Sequence, residues 1–187
     1  MTKYILHWWR TRIQNENNKN FFKEIVKWYD KPKILIVPFA SRDEADICLV
    51  SDKNKFKQSV PDLNIDYKLA SKDTDILKMQ IQDSDIIYLR GWDENPLLEV
   101  FSKIWRDHLI NLWAGKTVVG ISAGSNFLAK YCYETDRNQL EEMFGILDIK
   151  VVCHYKWDKE IYNKLDKFHE TLPVYALGET EFEVVLK

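Results

Sequence analysis

The chain has 187 residues, 45% of them hydrophobic and 30% charged, which suits one water-soluble domain over residues 1–187 with a substantial core. Lys and Arg total 27 against 29 Asp and Glu, a net charge of −2 with no long block of one sign. Neither nucleic acid nor a membrane surface is therefore indicated as a partner.

The N-terminal stretch M-T-K-Y-I-L-H-W-W-R is too short and too polar after Trp9 to read as a signal peptide, and no apolar run reaches membrane-spanning length. Cys48, Cys132 and Cys153 are scattered, without C-x-x-C spacing. Reduced, buried thiols in a cytoplasmic protein are expected. Residues 4–9 read as a first strand, followed by a polar loop and a helix from Asn20 to Tyr29 with Phe22, Ile25, Val26 and Tyr29 on one face. Lys33–Pro38 is an unbroken apolar run that suits the centre of a parallel sheet. A helix over residues 43–59 follows, capped by Ser41 or Asp43, then a strand at Ile65–Leu69 and a helix at Asp73–Ile81. Asp85–Gly91 is another buried strand, and residues 95–113 read as one long helix with Pro96 in its first turn. After residues 117–130 come a strand at Ile149–Cys153, a helix at Asp158–His169, and strands at Val174–Leu177 and Glu181–Leu186. Strands alternating with helices at this pitch predict a three-layer α/β fold: a mostly parallel sheet with helices on both faces.

The chemistry concentrates in T-V-V-G-I-S-A-G-S-N, Thr117–Asn126. Thr117–Val119 is β-branched and apolar, and Asn126–Lys130 reads as helix, so Ser122 sits in a strand-to-helix turn with the G-x-S-x-G pattern of a nucleophile elbow. Larger side chains two positions to either side of the serine would collide with neighbouring backbone. By composition alone the pattern arises in roughly one such sequence in a hundred, and its flanks make chance less plausible still. The bland alternative is a tight turn holding an ordinary serine.

A serine hydroxyl needs a base that is itself oriented by a third group. Of the four histidines, His7 lies among apolar neighbours in a strand, and His108 and His169 lie on helices. His154 directly follows the strand ending at Cys153, which puts it at the carboxyl edge of the sheet, where ligands sit in such folds. Gly91 and the Gly178-Glu179 turn also follow predicted strands. Glu179 is the favoured orienting carboxylate, with Asp136 and Asp158 as rivals. A Ser…His…Glu order, and the small size, differ from the α/β-hydrolases.

The elbow G-I-S-A-G-S-N, the H-Y-x-x-D at His154–Asp158 and the A-L-G-E-T at 176–180 together resemble the dipeptidase E and cyanophycinase family of serine peptidases. V-P-F-A at 37–40 and I-I-Y-L-R-G-W-D-E-N-P-L-L at 86–98 extend the resemblance through most of the chain. It implies a class I glutamine amidotransferase-like (flavodoxin-like) fold, with Ser122 as nucleophile, His154 as base and Glu179 as third member. Asp136 lies one residue out of register with another acidic position of that family. The implied oxyanion donors are the backbone N–H groups of Ala123 and of Gly91 or Trp92. The family's glycine run is largely replaced here by Arg90, Trp92, Asp93 and Glu94, so the substrate pocket must differ. Arg90 or Arg137 could fork to a substrate carboxylate, although a solvated surface arginine is the commoner fate.

The expectation is a small serine hydrolase cleaving short peptides, with no cofactor and no metal. The alternatives are a non-catalytic ligand- or partner-binding member of the same fold, and an amidotransferase-like or esterase hydrolase. Seven Trp and nine Tyr also raise the expectation of a self-association surface, as in a homodimer.

Overall fold

The computed structural model describes residues 1–187. The first sheet is built from β1 (Lys3–His7), β2 (Lys33–Val37), β3 (Asp66–Leu69), β4 (Ile86–Leu89), β5 (Thr117–Ile121) and β10 (Phe182–Leu186), in the order β10-β1-β5-β4-β2-β3. All its pairings are parallel except β1 with β10. The alternation of side chains along each strand explains the two helical layers. Tyr4, Leu6, Leu35, Val37, Ile87, Leu89 and Val118 face one way, into a core shared with α3 (Thr74–Gln82), α4 (Asn95–Phe101), α5 (Arg106–Leu112) and α6 (Ala123–Leu128). Ile5, Ile34, Ile36, Ile86, Tyr88, Val119 and Ile121 face the other way, against α1 (Glu16–Val26) and α2 (Ala45–Ser59). The expected three-layer, mostly parallel architecture is present.

Three local expectations fail. The long helix at 95–113 is two helices, α4 and α5, with Trp105 extended between them at φ −52°, ψ 132°. Its buried apolar positions step from Ile104 to Leu109, a gap that one continuous helix cannot keep on a single face. The helix over 43–59 begins at Ala45 after Glu44, and no side chain caps it. The helix after the elbow ends at Leu128, and the chain turns into a second sheet that was not anticipated. That sheet runs β7-β6-β8-β9, from β6 (Ala129–Glu134), β7 (Gln139–Glu142), β8 (Leu147–Val152) and β9 (Val174–Ala176), with α7 (Lys159–Lys167) against it. Ile146, Leu147, Ile149 and Val151 belong to the same buried cluster as Tyr4 and Leu6, so one core joins the two sheets.

That arrangement fixes the site. β5 delivers Ser122 from the first sheet, and β8 delivers His154 from the second. The Ser122 N–H donates to the His7 carbonyl at 2.8 Å, while Tyr155 N–H and Leu177 N–H bond across between the loop after β8 and the end of β9.

Candidate active site

Ser122 occupies φ 50°, ψ −113°, a left-handed conformation that a non-glycine residue holds only where its surroundings enforce it. The surroundings are the two flanking glycines. A Cβ at Gly120 would stand 2.6 Å from the Gly124 carbonyl carbon and oxygen, and a Cβ at Gly124 would stand 2.6 Å from the Leu89 carbonyl oxygen. Both collisions are with backbone and cannot be relieved by a rotamer change. Gly120→Ala is therefore expected to cost about 3 kcal/mol or more, read as a lowered urea midpoint with an unchanged slope. An unchanged midpoint would mean that the elbow is not sterically closed.

The Ser122 Oγ lies 3.1 Å from His154 Nε2. The serine is 6% exposed, open enough for a small reactant and little more. His154 is itself held at φ 62°. Burial pushes its pKa below the ordinary 6.5, opposed by the nearby Asp136 carboxylate and aided by Lys156. A neutral imidazole with Nε2 facing the hydroxyl is the form that can accept a proton. Trp8 and Trp9, at the end of β1, pack on the ring with centroids 5.0 and 5.5 Å away.

Gly91 lies against the serine: a Cβ there would come within 2.1 Å of the Ile121 carbonyl oxygen and 2.8 Å of the Ser122 Cβ. Only glycine lets the chain after β4 approach this closely. The backbone N–H groups of Gly91, Trp92 and Ala123 find no acceptor within the protein, and α6 begins at Ala123. Amides left free beside a serine can receive developing negative charge.

The other expected positions separate. Glu179 follows β9 as anticipated, but its Oε2 accepts from Arg10 Nη1 at 3.2 Å with both side chains half exposed. The ring of His154 bonds to Ser122 and not to Glu179. Asp136 sits in the exposed turn between β6 and β7, its N–H donating to Glu134. Asp158 caps α7, accepting from the N–H groups of Glu160 and Ile161. Arg137 is engaged by Glu94 and Glu141. His7 is buried, its Nε2 2.9 Å from Asn18 Oδ1, and burial takes its pKa down to about 4. His108 and His169 are exposed.

A cavity of about 350 Å³ opens beside Ser122, and Arg90 lines it. So do residues that nothing in the local sequence pattern marked: Arg10 and Arg12 from the loop after β1, Arg42 and Asp43, and Asp52 and Lys55 from α2. Asp52 and Lys55, three residues apart on a helix, read as a surface ion pair, yet Asp52 is fully buried and accepts from Lys55 at 2.7 Å. Arg90 Nη1 lies 3.5 Å from Asp52 and is buried without a hydrogen-bond partner. Arg42 lies over the Trp92 ring, 3.7 Å from its centroid. A single signal could have pointed here: the arginines cluster in segments that follow strands.

The sequence profile of peptidase family S51 matches residues 11–183. The chain belongs to peptidase family S51. It is a serine-type peptidase, and the expected resemblance to the dipeptidase E family holds. Two solved structures share the fold. A peptidase from an acI-B1 Actinobacterium superposes with a TM-score of 0.66 at 21% identity, covering 99% of this chain and 83% of its own. A protein assigned as peptidase E from Listeria monocytogenes EGD-e gives 0.66 at 18% identity, covering 100% of this chain and 98% of its own. No curated protein sequence matches this S51 peptidase. No helix in it is long and apolar enough to cross a membrane.

Proposed function

We propose that this S51 peptidase cleaves short peptides by attack of Ser122 on the scissile carbonyl, with His154 taking the hydroxyl proton and returning it to the leaving amine. The observation that carries this reading is the 3.1 Å approach of Ser122 Oγ to His154 Nε2. The N–H groups of Ala123 and of Gly91 or Trp92 take the oxyanion charge. No carboxylate hydrogen-bonds to the His154 ring; Asp136 bears on it through its charge alone. Glu179, bound to Arg10, would have to leave that partner to serve as the third member. A fluorophosphonate tests the reading directly: stoichiometric labelling at Ser122 supports it, while an inert serine favours the ligand-binding alternative.

Arg10, Arg12, Arg42, Lys55 and Arg90 outnumber Asp43 and Asp52 around the cavity, which favours peptides carrying a carboxylate near the cleaved bond. Arg137 does not line the cavity and pairs with Glu94. Peptides with an acidic residue before the scissile bond are expected to exceed neutral ones by about tenfold or more in kcat/KM, the value of one charge-assisted hydrogen bond. Arg42→Ala is expected to narrow that ratio. Equal losses on acidic and neutral peptides would reject a specificity role. The buried free cysteines fit a reducing, cytoplasmic setting.

A further inference from the structure

His154 lacks the support that a general base usually has. Serine-type sites orient the imidazole by a hydrogen bond from its second ring nitrogen, yet Ser122 Oγ is the sole hydrogen-bond partner of this ring. Glu179 is occupied by Arg10, and Asp136 acts through its field from an exposed turn. What the ring does have is two indoles. Trp8 meets it edge-to-face at 5.0 Å with planes 77° apart, and Trp9 meets it at 5.5 Å and 54°. Both distances fall in the range of favourable aromatic pairs.

The two tryptophans are themselves firmly placed. Trp8 is 4% exposed, and its backbone N–H donates to the Glu181 carbonyl at 3.4 Å. Trp9 is half-buried and packs on Trp92 at 5.8 Å. The residue just before them, His7, is locked in the sheet between β5 and β10. A rigid strand end therefore presents two flat apolar walls to the imidazole.

We propose that Trp8 and Trp9 are positioning residues, an aromatic bracket that does for His154 what an orienting carboxylate does elsewhere. The bracket fixes the ring plane with Nε2 toward Ser122 and keeps water from it, so that the neutral base form persists to lower pH. The proposal rests on His154 being the base. The charged or titrating groups that bear on the ring are Asp136 from the β6–β7 turn and Lys156 from its own loop, while Arg10, next to Trp9, is paired with Glu179.

The test compares Trp9→Ala and Trp9→Phe with the parent enzyme, using kcat and KM on one short peptide across pH and an NMR titration of the His154 ring. Trp9→Ala is expected to lower kcat about tenfold or more, with any rise in KM reflecting the place of Trp9 in the cavity wall. It should also move the acid limb of kcat/KM, and the ring titration, upward toward the ordinary imidazole range, because water then reaches the ring. Trp9→Phe restores an aromatic wall and should recover most of both losses. A Trp9→Ala enzyme with the parent's kcat and acid limb overturns the bracket. So does a loss confined to KM, or a Trp9→Phe variant as impaired as the alanine. Failure of the base assignment is separately visible, since His154→Ala would then stay active. Trp8→Phe, read by the ring titration alone, checks the buried wall independently of turnover.

Discussion

Ser122→Ala is expected to lower turnover of any cleavable peptide by about 10⁴-fold or more while leaving the fold and its thermal midpoint intact. Removing one hydroxyl eliminates the attacking atom, and no other nucleophile stands at 3.1 Å from the base. The fold survives because the conformation at this position is imposed by the contacts of Gly120 and Gly124 and not by the side chain. The substitution also relieves nothing: alanine must hold the same φ of 50°. Circular dichroism and a peptide assay on the same preparation settle the matter, and residual activity within an order of magnitude of the parent would remove Ser122 from the mechanism.

His154→Ala is expected to be nearly as severe, again about 10⁴-fold in kcat, and the double variant Ser122→Ala/His154→Ala no worse than either single one, since members of such a unit do not act additively. The cause is geometric. Without an acceptor at Nε2 the serine proton has nowhere to go, and burial leaves little room for water to substitute. Glu179→Gln separates the two carboxylates. If its partner is Arg10, 3.2 Å away, and not His154, turnover changes little. A loss approaching that of His154→Ala would restore Glu179 as the third member.

The nucleophile turn was legible because its chemistry is local. Gly120, Ser122 and Gly124 lie within five positions, and the steric demand on each is set by close backbone. The alternating apolar strands declared the parallel sheet for the same reason: burial on both faces leaves a continuous hydrophobic signature, as in Lys33–Val37. The second sheet was not legible. Ala129–Glu134 carries lysine, cysteine and two tyrosines, without the clean apolar run of β2, and Gln139–Glu142 is wholly polar save Leu140. Those strands form because a neighbour and a hairpin turn are available, which is a tertiary fact. The cavity stayed hidden on similar grounds. Asp52 and Lys55 face inward only because α2 packs across the sheet, and Trp8 reaches His154 only because β1 and β8 end side by side. Glu179 stands after β9 as its place in the chain implied, and its carboxylate pairs with Arg10, a neighbour that nothing in A-L-G-E-T foretells.

The position of β1 bears on how the molecule is made. Tyr4 pairs with Val118 on one side and Val185 on the other, so the strand that carries the tryptophans into place closes against partners far along the chain. Long-range closure of this kind is slow, and the hydrolytic centre is complete only once both pairings have formed.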